Sequence, residues 1–116
     1  MEHWGIPIRG LRIDSVEWID ERAEHVRTRT KRYGPGEFDI EPEWATEAAL
    51  DPGRLAGPAA SGEALQVVGF STACGRVLKV WLYPKDLEAG EWYGASACEA
   101  NETNKRMYRE RKEEKR

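Results

Sequence analysis

The stretch from Leu65 to Tyr83, LQVVGFSTACGRVLKVWLY, constrains the fold more than any other part of the chain. Two runs rich in β-branched, leucine and aromatic residues flank Ser71-Thr72-Ala73-Cys74-Gly75, which is the pattern of a β-hairpin. Side chains alternate across a strand, so Leu78, Val80 and Leu82 share one face while Val77, Lys79, Trp81 and Tyr83 share the other. The first set is an ordinary core face. The second combines a cation with two aromatics and admits two readings. It can stack bases and contact phosphate, or Trp81 and Tyr83 can cover a helix while the Lys79 ammonium reaches out to water.

The chain around the hairpin supplies its sheet partners and its cover. Pro84 is expected to end the second strand. Lys85 to Gly90 reads as a polar turn, and Glu91 to Ala97 as a third strand that completes an antiparallel meander. In that third strand, alternation puts Trp92, Gly94 and Ser96 on one face and Tyr93, Ala95 and Ala97 on the other. Upstream, Leu11, Ile13 and Val16 suggest a short strand. A helix from about Asp20 to Arg32 follows, with Ile19, Ala23, Val26, Thr30 and Tyr33 as its apolar stripe. Gly34-Pro35-Gly36 stops it. A second helix from Pro42 to Leu50 has proline early and Glu41 and Glu43 at its positive end, and Asp51-Pro52-Gly53 ends it. Gly57 to Gly62 reads as a flexible connector. Asn101 is a plausible N-cap for a final helix with Glu102 in its first turn. Its apolar side is only Ala100, Thr103, Met107 and Tyr108, and every residue from Arg109 to Arg116 is charged, so that tail is expected to fray or extend into solvent. The expected fold class is α+β: a small antiparallel sheet of a three-strand meander plus a short N-terminal strand, two N-terminal helices and a C-terminal helix. One domain over residues 11–116 accounts for the chain, with residues 1–10 a loose lead-in.

Charge narrows the function classes. The net charge is -3 with 34% charged residues, yet the signs are segregated. Asp20 to Arg32 holds five basic and three acidic residues, Tyr33 to Ala64 one basic and seven acidic, and Glu102 to Arg116 seven basic and four acidic. An acidic segment between two basic ones argues for one local basic site and against a general nucleic-acid coat. No run approaches the roughly 18 apolar residues of a membrane span, and the N-terminus lacks a secretory-signal plan, so a cytoplasmic location and no membrane partner are expected. Two cysteines, Cys74 and Cys98, lack metal-ligand spacing. They are either reduced and inert or joined in one bridge. No Walker loop, dinucleotide glycines or metal cluster stands in the sequence, so no cofactor and no metal are expected. His25 and Arg29, four apart, stack on one helix flank. That flank is either a solvated edge or the wall of a cleft where histidine serves as acid or base.

Three blocks in order resemble the BrnT family of bacterial type II toxin–antitoxin systems, relatives of the RelE-like ribonucleases. They are Val16-Glu17-Trp18 with the helix through His25 and the turn at Tyr33-Gly34; the short helix closing in Ala49-Leu50-Asp51-Pro52; and the meander with Gly69, Gly75-Arg76-Val77-Leu78 and Ser96-Ala97, followed by Tyr108 in the last helix. The resemblance spans Val16 to Arg111. It implies a RelE/BrnT-like toxin that cleaves RNA without metal and is neutralised by a small DNA-binding antitoxin. Arg76 matches the family's arginine after the hairpin glycine, Tyr108 the tyrosine of the last helix, and Lys105 and Arg106 its basic positions. On that basis the catalytic candidates are His25, Arg76, Lys79 and Tyr108, and the RNA-binding candidates are Arg29, Trp81, Tyr83, Lys105 and Arg106. The chain departs from the pattern where Ala64 and Phe70 stand in place of arginines, where Cys98 and Glu99 replace an arginine and often a second cation after Ser96-Ala97, and where Tyr33 replaces a histidine. Each lost cation removes a phosphate contact. A second reading is therefore a BrnT-like binding module, catalytically weak or inactive, that acts through a protein partner; exposed sheet edges make self-association an expectation too.

Overall fold

The computed structural model of the chain describes residues 11–60 and 64–114; the expected lead-in and part of the expected connector lie outside them. Nine elements follow in order: β1 (Ser15–Glu17), α1 (Asp20–Arg27), α2 (Arg29–Tyr33), α3 (Pro42–Ala49), β2 (Leu55–Pro58), β3 (Leu65–Ser71), β4 (Arg76–Asp86), β5 (Glu91–Glu99) and α4 (Glu102–Glu114). The strands form one five-stranded sheet in the order β1-β5-β4-β3-β2. The α+β class holds and the hairpin β3–β4 lies at its centre, but the sheet is mixed, because β1 runs parallel to β5.

Several local expectations are corrected. The first helix is broken: Thr28 has φ -121° and ψ 33°, separating α1 from α2. Its hydroxyl donates to the Glu24 carbonyl at 2.8 Å, a back-bond to the preceding turn that competes with regular helix. Of the expected stripe only Ala23 and Val26 are buried, whereas Ile19 and Tyr33 are exposed. Pro84 does not end β4. The strand runs on to Asp86 through a register shift between Pro84 and Asp86, an irregularity of the kind that accommodates a residue lacking an N–H. The stretch around Gly57 is not all connector, since Leu55–Pro58 pairs with β3 as an edge strand. β5 extends to Glu99, and a second irregularity opposite Trp81 and Leu82 resets its alternation. Ser96 therefore pairs with Trp81 and Ala97 with Val80, so Ala97 joins Trp92 in the core instead of facing with Tyr93. Helix α4 continues to Glu114 past its last apolar residue, and Met107 is exposed.

The core lies between the sheet and α1 and α3. Leu65, Val67, Leu78, Val80, Leu82 and Trp92 are all fully inaccessible and meet Val26, Ala45, Ala48 and Ala49 of the helices. The helix predicted over 42–50 has a face of small residues, and the structure shows what that face permits. A Cβ at Gly69 would lie 1.9 Å from the Ala48 carbonyl oxygen, so the α3 backbone rests directly on β3. Likewise a Cβ at Gly94 would lie 2.4 Å from the Trp18 ring, whose Nε1 donates to Thr46 Oγ1 at 2.9 Å. Two glycines thus set the height of the helical layer. From the other side of α3, Glu47 accepts from the Ser71 hydroxyl at 2.8 Å and the Ala73 amide at 3.1 Å, pinning the hairpin turn.

Among the described residues, the opposite face of the sheet is covered at one end only. There Tyr108 of α4 and Ala100, just ahead of it, pack against Val68, with Leu55, Phe70 and Val77 around them. The predicted cap is present: the Asn104 amide donates to Asn101 Oδ1 at 2.8 Å.

Candidate functional site

The uncovered part of that second face carries the stripe foreseen in β4. Lys79, Trp81 and Tyr83 project from it, and the lateral neighbours fixed by register are Gln66 opposite Trp81 on β3, with Ser96 and Cys98 on β5. Two members came from the structure alone. Tyr93 lies directly opposite Tyr83, and Lys85 places its ammonium 5.6 Å from the Tyr93 ring centroid. Lys79 holds its ammonium at the same distance, 5.6 Å, from the Trp81 ring. The outcome is a run of cation, two aromatics and cation along one strand. Sequence reading stopped the strand at Pro84 and so left out Lys85; its continuation depends on the irregular pairing with β5. Lys85 is also paired with Glu17 at 2.6 Å, and that carboxylate holds its ammonium pKa above the ordinary value. Beside the stripe a groove of about 350 Å³ runs between Arg22, Gln66, Trp81, Tyr83 and the small side chains of Ala64 and Ala95. Ala64, where the family would carry a cation, is buried in its wall.

The remaining candidates divide into two groups. His25 and Arg29 belong to different helices because of the break at Thr28, but they remain electrostatic neighbours. Burial first, and then Arg32, Arg22 and Arg29, lower the His25 pKa from 6.5 and favour the neutral imidazole. Arg29 is committed to Glu37 at 2.8 Å and stacks over Tyr33, 4.6 Å from its centroid. Arg29 and Lys79 both act on Cys98, whose thiol is nonetheless pushed up by burial. Both cysteines are free thiols.

The second group sits at the α4 end. Arg76 and Lys105 meet, but through Glu99: Arg76 donates to Glu99 Oε1 at 3.1 Å and Lys105 to Glu99 Oε2 at 3.0 Å. Arg76 also lies over Phe38, 4.2 Å from the ring centroid. Tyr108 is buried and donates its hydroxyl to Asp51 Oδ2. Burial and that carboxylate raise its pKa far above the ordinary phenol value. Asp51 holds several elements together, accepting also from the Phe70 amide at 2.9 Å and the Gly53 amide at 2.8 Å. The Asp-Pro-Gly sequence signals the local turn; only the fold brings Phe70 and Tyr108 to the same carboxylate. Arg106 is exposed on α4. Glu99 and Asp51, which organise this end, were not among the sequence candidates.

Chemically, the open face offers stacking surface and cations, while the α4 end offers a saturated ion-pair cluster and a tyrosine bound to a carboxylate. Among the described residues no group of His, Cys, Asp and Glu is arranged to hold a metal ion, and no helix is long and apolar enough to cross a membrane. No family model, curated protein or solved structure matches the chain.

Proposed function

We propose that the chain is a BrnT-like, RNA-interacting module that takes an extended single strand across its open sheet face. One observation carries the reading: Lys79, Trp81, Tyr83 and Lys85 follow one another along β4 with Tyr93 opposite Tyr83, and a cation lies against an aromatic at each end. Every base presents a π-face, so such a surface is sequence-tolerant, and ammonium groups at its ends contact phosphate. The acidic net charge favours a short local footprint over a long one.

The test is the anisotropy of a fluorophore-labelled single-stranded uridine oligoribonucleotide titrated with the chain at low and moderate salt. Trp81→Ala is expected to lose about 1–3 kcal/mol of binding, and Lys79→Ala to flatten the salt dependence by about 0.7 in the log–log slope. An oligonucleotide that fails to bind at low salt, or binds Trp81→Ala as well as the parent chain, defeats the proposal. Binding of a protein partner at this face with no RNA affinity favours the partner-mediated reading instead.

The ribonuclease-toxin reading is supported separately at His25, where burial and then Arg32, Arg22 and Arg29 lower the imidazole pKa and favour its neutral form. A neutral imidazole is competent to accept the proton of a ribose 2′-hydroxyl. Induction of the chain alone in a bacterial host should then arrest growth and degrade RNA, with both effects lost in His25→Gln; normal growth with intact RNA eliminates cleavage while leaving binding intact. A small DNA-binding antitoxin encoded beside it is the corresponding partner, to be sought by co-purification of the two chains, and a cytoplasmic location belongs to the same reading.

A further inference from the structure

Arg76 at the start of β4 and Lys105 in the first turn of α4 converge on one carboxylate with one cation on each oxygen, and Lys105 also pairs with the more exposed Glu102 at 3.6 Å. The Arg76 guanidinium also lies over the Phe38 ring, 4.2 Å from its centroid, a cation–π contact that adds to its hold on this position. Both cations border a groove of about 430 Å³ whose walls include Phe70, Cys74 and Val77. Burial by itself would raise the Glu99 carboxyl, but Lys105 and then Arg76 outweigh it and hold the carboxyl below its ordinary value. Glu99 is therefore ionised at neutral pH.

Two fixed cations spanned by a two-oxygen anion make an arrangement that accepts a phosphate as readily as a carboxylate, because both present paired acceptor oxygens to the same donors. We infer that Arg76 and Lys105 form an anion site of the phosphate class which this chain keeps closed with its own Glu99 side chain. The tethered carboxylate competes at the high effective concentration of an intramolecular group, so free phosphate does not displace it. The same contact ties the end of β5 to α4. The site is separate from the open-face stripe, and this inference does not depend on the RNA proposal.

The probe is inorganic pyrophosphate, titrated calorimetrically into the intact chain, Glu99→Gln and the double variant Glu99→Gln/Arg76→Gln. Glutamine keeps the shape and removes the charge. The parent chain should bind only weakly. Glu99→Gln should gain about tenfold or more in affinity, the scale of one charge-assisted contact made available, and the double variant should lose the gain. A folded Glu99→Gln that binds no better than the parent overturns the inference and leaves Glu99 a staple between β5 and α4. Tight binding by the parent, or a gain that persists in the double variant, overturns it as well. Should Glu99→Gln fail to fold, Glu99→Asp decides: one methylene shorter, it cannot span both cations, and an absent gain there is equally fatal.

Discussion

The two faces of the β3–β4–β5 sheet are made by the same strands and could hardly differ more. On one, Leu78, Val80 and Leu82 are fully inaccessible beneath α1 and α3. On the other, one residue out of step, Lys79, Trp81 and Tyr83 stay partly or fully open. Period-two alternation creates both surfaces at once, and what separates them is which helices arrive. Helix α3 arrives backbone-first, because Gly69 and the alanines of α3 let it, whereas α4 covers only the Val68–Val77 end and is charged beyond Tyr108. Burial stabilises one face; among the described residues, incomplete cover leaves the other open to solvent.

The sharpest way to break this contrast is at Gly69. Gly69→Val places side-chain atoms where the Ala48 carbonyl stands, so α3 must lift off the sheet. The expected loss is about 3 kcal/mol or more, the upper range for overpacking, measured by urea denaturation; a loss within experimental error would mean that α3 does not rest on β3.

Next comes a matched pair on the two faces of one strand, β4. Leu78→Ala should cost about 2–5 kcal/mol as a core truncation, while Trp81→Ala should cost under about 1 kcal/mol and still abolish most oligonucleotide binding. Equal stability losses in the two variants would show the faces to be equally structural and would remove the binding platform from the second.

The smallest expected effect is at His25, at the margin of the covered face. Its folded pKa is lowered from 6.5 by burial and by Arg32, Arg22 and Arg29. Well above pH 6.5 the imidazole is neutral in folded and unfolded chains alike and contributes no pH dependence. As the pH falls through that value, the unfolded chain binds a proton that the folded chain resists, so stability declines until the folded pKa is passed. His25→Gln should flatten the stability profile between pH 6.5 and about 5, above the range where carboxylates dominate. An unchanged profile would mean that His25 is as free to protonate in the fold as outside it.

Much of the candidate surface was legible because alternation is local: Lys79, Trp81 and Tyr83 share a face in any strand that contains them. The helix-stop at Gly34, the proline start of α3 and the Asn101 cap were legible for the same reason. The roles of Arg76 and Tyr108 were not. Each matched a functional position by resemblance, yet Arg76 meets Glu99 across 23 residues and Tyr108 meets Asp51 across 57. Neither partner could be chosen without the register that brings the end of β5 and the end of α3 to α4.

By itself, then, the sequence determined the elements whose causes lie within a few residues: the central hairpin with its two unlike faces, the small-faced helix, the capped final helix and the α+β class. Tertiary structure decided everything that depends on register and cover. It added β2, aligned β1 parallel to β5, carried β4 past Pro84 to bring Lys85 to the stripe, and turned Ala97 inward. It also set Glu99 between two cations. Local propensities act through neighbouring backbone and side chains, which the sequence specifies directly. Register and cover are settled by packing between segments far apart in the chain, where a one-residue shift exchanges the core for the surface.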